Sequence, residues 1–150
     1  MESQLRQRRT LQHAPPSWVK NSEVFFITLN GSPRGFNQFA NRMHGPRILD
    51  TADFYHSTGK WYCHLLVVMP DHLHLLASFP GEVDMTAFVL SWKRYLSKTL
   101  NLRWQRDFFD HRIRNGENLE EKTDYIRQNP VRAGLAAFSE DWPYVWEPKR

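Results

Sequence analysis

One cysteine, Cys63, stands among 150 residues, so the chain forms no internal disulfide and lacks the thiolates of a closed structural zinc site. It sits in the apolar stretch "WYCHLLVVM", where a buried thiol in a reducing compartment is the plain reading. No segment approaches the ~20 apolar residues needed to span a bilayer. The opening "MESQLRQRRT" has no apolar core of the kind a secretory signal carries. Internal repeats are absent as well. These absences lead us to expect a soluble, cytoplasmic protein.

Apolar residues make up 41% of the chain and aromatics 14%, with six tryptophans. That is enough for one domain with a real core. Residues 1–22, polar, basic and interrupted by "HAPPSW", read as a flexible arm, and 23–150 as the domain. The net charge of +4 and pI near 9.4 favour a polyanionic partner. Between Met85 and Arg114 seven basic residues face two acidic ones, a local excess larger than the whole chain's. The positive charge is therefore concentrated.

Period and punctuation predict the elements. "EVFFITLN" (23–30) reads as a strand, "ILDTADFYHS" (48–57) as a short helix, and "KWYCHLLVVM" (60–69) and "HLHLLASF" (72–79) as neighbouring antiparallel strands. Met85, Phe88, Val89, Trp92, Leu96 and Leu100 mark the apolar stripe of a helix over 85–100. "WQRDFFDHRI" (104–113) reads as another strand. Asn118 followed by Glu121 predicts a capped helix start, which Pro130 stops or kinks near Gln128 or Asn129. The order is that of an α+β domain with a largely antiparallel sheet, compatible with a ferredoxin-like arrangement.

Alternation along "HLHLL" puts His72 and His74 on one face and Leu73 and Leu75 on the other. Two imidazoles side by side suit one shared metal ion, or simply a solvated strand face. On the last helix, Tyr125 shares a face with Glu121 and Asn129, with Lys122 three residues back. A phenol, a carboxamide and a basic group so grouped have little packing value. Trp92 and Trp104 serve equally as core residues or as stacking platforms for bases.

"MPDHLHLL", "WQRDFFDHRIR" and "YIRQNPVRAGL", in that order and spacing, resemble successive signatures of the single-tyrosine HUH transposases, in particular the REP-associated tyrosine transposases. The strand "VFFITLN" and the final "DWPYVW" are similar to that family as well. The resemblance implies a ferredoxin-like palm with a four- to five-stranded, mainly antiparallel sheet and helices packed on it. It implies Tyr125 as nucleophile, His72 and His74 as metal ligands, and a 5′-phosphotyrosine intermediate with a free 3′-hydroxyl. In insertion-sequence relatives a glutamine four residues after the tyrosine completes the metal site; this chain has Asn129 there.

The implied cofactor is Mg²⁺ or Mn²⁺, and the implied partner single-stranded or hairpin DNA of the REP element type. Monomer and homodimer both occur among such proteins. Lys93, Arg94, Lys98, Arg112 and Arg114 are the expected phosphate contacts, joined by the arginines at 103 and 106. The "DH" element, Asp110 and His111, fits either a site or a structural role. Two rival readings share these residues: a hairpin-binding module without cleavage, and a phosphohydrolase in which the histidines activate water.

Overall fold

The computed structural model describes residues 15–114 and 117–149. Residues 1–14 of the expected arm, with its arginines 6, 8 and 9, lie outside that range; Ser17–Asn21 forms a 3-10 turn with Val19 buried. The main elements are β1 (Val24–Asn30), α1 (Gly45–Ser57), β2 (Tyr62–Val68), β3 (His72–Ser78), α2 (Met85–Leu100), β4 (Phe109–Ile113), α3 (Leu119–Arg127), α4 (Asn129–Arg132) and β5 (Val145–Trp146). The short link at Pro70–Asp71 folds β2 and β3 into an antiparallel pair, as its length predicts. All strands pair antiparallel in the order β4–β1–β3–β2–β5. With β-α-β-β-α-β connectivity, this is the expected ferredoxin-like α+β sheet, extended at one edge by β5.

Alternation splits the apolar residues between two layers. Ile27, Leu29, Leu66, Leu73 and Leu75 face α1 and α2, meeting Ile48, Val89, Trp92 and Leu96 in the larger core. Leu65, Val67 and Leu76 point the other way, onto Ile126 of α3. Because His72 and His74 share parity with Leu76, they belong to the α3 layer.

Local chemistry sets the helix limits. Asp84 caps α2 by accepting the Ala87 N–H at 3.0 Å, and Asn101, at φ 58°, ends it in the left-handed region. Asn118 caps α3 the same way, accepting from Glu121 N–H at 3.0 Å. Pro130 falls in the first turn of α4, where its missing N–H costs nothing, so the chain breaks at Gln128 and restarts. Helix α1 begins three residues before the predicted position 48, with Pro46 in its first turn.

The predicted strand over 104–113 is a correction: only Phe109–Ile113 is extended in the sheet. Trp104 makes an isolated bridge to Gly31. Beyond it, the Lys93 ammonium donates to the carbonyls of Gln105 (3.1 Å), Asp107 (3.3 Å) and Arg106 (3.5 Å), which turns these residues away from the ladder. The two-residue β5 escapes prediction because so short a run carries no period.

Candidate functional site

His72 and His74 stand next to each other on β3, ring centroids 4.7 Å apart and planes at 77°. Each has its Nδ1 occupied. The Asp71 carboxylate accepts from His72 Nδ1–H at 2.8 Å, and His74 Nδ1 lies 3.1 Å from the Thr28 hydroxyl on β1. A carboxylate only accepts, so His72 carries a proton on Nδ1, which leaves Nε2 as its atom for a ligand. Neither Nε2 has a hydrogen-bond partner among the described residues.

Asp71 is itself held. Arg34 Nε donates to its Oδ2 at 2.9 Å and the Gly35 N–H at 2.8 Å, while Gly31 N–H donates to its carbonyl at 2.8 Å. Partial burial opposes ionisation, but the hydrogen bonds from Arg34, Gly35 and His72 outweigh it and hold the carboxyl well below the usual carboxylate range. His74 is pushed the other way for an imidazole. Burial first, then the charges of His72, Arg132 and Arg34, lower its pKa to about 3. It is neutral at physiological pH, the state in which imidazole binds a metal.

Helix α3 brings the tyrosine to this layer. Ile126 anchors it to the sheet, and Arg127 ties it to Glu147 beyond β5 at 2.8 Å. Tyr125 is left 62% exposed. The guanidinium of Arg132 lies 3.8 Å from its ring centroid, and Arg132 Nη2 donates to the Tyr125 carbonyl at 2.8 Å and to Asn129 Oδ1 at 2.6 Å. The same arginine contributes to the lowered pKa of His74. Arg132 thus joins the tyrosine and the asparagine by direct contact. Lys122, expected on that face, is paired with Glu117 at 3.4 Å.

Among the described residues, no three His, Cys, Asp or Glu side chains gather closely enough to hold a metal ion. A cation bound here has two imidazoles and open positions. Asn129, outside those residue types, is the remaining protein candidate, with its carboxamide oxygen engaged by Arg132. Two aligned nitrogen donors with oriented rings would suit a divalent cation whose remaining positions are filled by water or phosphate oxygens.

The expected phosphate contacts fare differently. Lys93 is a correction: it is only 6% exposed and its ammonium is spent on three carbonyls, so it holds the chain rather than DNA. Arg94 and Lys98 are exposed on α2, in the layer opposite the histidines. Arg112, opposite Phe25 in the register, also faces that layer and pairs with Glu23 at 2.8 Å. Arg114 is exposed.

Both tryptophans are packing residues. Trp92 is fully buried, and Trp104 stacks on Phe39 at 4.8 Å. His111 shares the His72–His74 face and is bound by Glu117 at 3.1 Å; Asp110 faces the other layer. Sequence reasoning misses Thr28, Arg34, Asp71 and Arg132. Proximity to the motifs, in "PDH" and "NPVR", is the signal for Asp71 and Arg132; Thr28 and Arg34 carry no such signal.

These features define an α+β protein whose sheet carries a histidine pair beside an exposed tyrosine. No family model matches the chain. A REP-associated tyrosine transposase of Escherichia coli (strain K12) is 33% identical over 81 residues, covering 52% of this chain and 49% of the relative. A Haemophilus influenzae protein provisionally given the same name is 31% identical over 96 residues, covering 53% and 54%. The chain thus spans about half the length of the curated relatives it matches. In structure it resembles a REP-associated tyrosine transposase bound to a REP hairpin, with TM-score 0.71 and 26% identity over 83% of this chain and 76% of that one. The resemblance read from the three motifs is borne out.

Proposed function

We propose that this chain is a metal-dependent tyrosine transposase that nicks and rejoins single-stranded DNA beside a hairpin. The carrying observation is that the helix bearing Tyr125 packs on the sheet layer that carries the histidine pair, with Arg132 against the Tyr125 ring and bonded to Asn129. The solved neighbour bound to a REP hairpin supports DNA of that kind as the partner.

In this reading the Tyr125 phenol oxygen attacks the scissile phosphorus, its proton passing to solvent. The bond from phosphorus to the 3′-oxygen breaks, and that oxygen takes up a proton. The products are a 5′-phosphotyrosine and a free 3′-hydroxyl, and reversal toward another 3′-hydroxyl rejoins the strand without ATP. A free phenol titrates near ~10, so about one part in a thousand is phenolate at neutral pH; the attack needs electrostatic help.

His72 and His74 would hold a divalent ion, Mg²⁺ or Mn²⁺, and the chemistry it would supply is neutralisation of the charge that develops on the scissile phosphate. Asp71 and Thr28 orient the two imidazoles. Arg132 restrains the tyrosine ring and presents positive charge to the phosphate.

Incubating the protein with labelled hairpin DNA carrying a single-stranded flank, in Mn²⁺, is expected to give an adduct that survives SDS. Tyr125→Phe abolishes the adduct and leaves binding almost unchanged. Cleavage that continues in Tyr125→Phe without an adduct would instead support water activation by the histidines.

A further inference from the structure

Helix α3 packs through Ile126 on Leu65 and Val67 of β2 and Leu76 of β3, with Phe26 and Ile113 at the margin, and among the described residues Phe109 and His111 of β4 are exposed on the same face. Directly opposed residues of antiparallel strands share a face, so Phe109 on β4, Thr28 on β1 and His74 on β3 form one row across three strands. His111 and Phe26 form the neighbouring row. Two strand spacings put Phe109 about 10 Å from His74.

Phe109 is 70% exposed, on an edge strand. Isolated exposed apolar residues are common, but this one stands in register with the histidine pair on the same open surface. The histidine end carries two guanidinium groups, Arg34 bonded to Asp71 beside His72 and Arg132 bonded to the Tyr125 carbonyl and Asn129. An aromatic ring at one end of the shelf and guanidinium groups at the other match a chain of bases joined by phosphates. Duplex DNA keeps its base faces stacked inside and offers nothing to such a ring, whereas an unpaired base of any identity stacks on it.

We propose that this exposed part of the face is the platform for the single-stranded segment next to the scissile phosphate, with a nucleobase stacked on Phe109. The proposal rests on the reading of Tyr125 and the histidines as a DNA-cleaving centre. Trp92 and Trp104, packed in the opposite layer, take no part. Specificity for single strands thus resides partly in the sheet, away from the basic face of α2.

The test is fluorescence anisotropy without divalent metal, using a fluorescein-labelled oligothymidylate and a blunt duplex of equal length. Phe109→Ala weakens oligothymidylate binding about tenfold or more, as the loss of one stacked base predicts. Duplex binding stays unchanged, and Phe109→Trp restores single-strand affinity. Equal single-strand affinity of Phe109→Ala and wild type, or equal losses on both DNAs, overturns the platform. The chemistry is read separately: an SDS-stable adduct with no Phe109 effect sinks the platform alone, and a Phe109 effect with no adduct sinks the cleavage reading alone.

Discussion

Asp71 and Thr28 each occupy one Nδ1 atom and so turn the two Nε2 atoms outward, a service neither histidine performs for itself. Outer partners of this type typically change metal affinity by about 10–100-fold. Asp71→Ala is therefore expected to weaken Mn²⁺ binding by about that factor, measured by electron paramagnetic resonance of free Mn²⁺. Unchanged affinity would show that Asp71 only anchors the 31–35 turn. The histidine pair itself is legible in the sequence, because period-two alternation fixes its face. Asp71's partnership is not, since Arg34 and Gly35 reach it only after the chain folds back across 36 residues.

At the scale of elements, α2 teaches the opposite lesson about charge. Its apolar stripe is legible from spacing, and Val89, Trp92 and Leu96 are indeed buried. Lys93 reads as one more basic residue of the polar side, yet it is drawn inward by three carbonyls that no local pattern announces. Phe108 packs against the larger core while Phe109 is exposed, a difference that the adjacent "FF" in the sequence does not announce. Lys93→Ala leaves those part-buried carbonyls short of a donor and is expected to cost about 1–3 kcal/mol. Urea unfolding should register that loss, and DNA affinity of the folded variant should stay at the wild-type level. A folded, fully stable variant with weakened DNA binding would restore Lys93 as a phosphate contact.

The whole molecule is a sheet with unlike faces: one sealed by α1 and α2, the other shared between α3 and the open histidine shelf. No described helix is long and apolar enough to cross a membrane. Stability should respond to pH through His64, whose Nε2 lies 2.9 Å from the Ser78 hydroxyl. Burial, then the charge of His56, lowers its pKa to about 4 from an ordinary 6.5. The folded state thus holds fewer protons than the unfolded state between these values. Its contribution is complete above pH 6.5 and declines as pH falls toward 4, by on the order of 3 kcal/mol. His64→Gln should flatten this part of the profile in denaturant titrations at pH 7 and 4.5; parallel losses in both proteins would contradict the assignment.

In the proposed function Tyr125 supplies the oxygen of a covalent DNA linkage. Peptide mapping by mass spectrometry of the SDS-stable product, after nuclease and protease digestion, is expected to find a residual 5′-nucleotide on the peptide containing Tyr125, with none formed when His72 and His74 are both replaced by alanine. A nucleotide found on any other residue, or persisting in Tyr125→Phe, would contradict it.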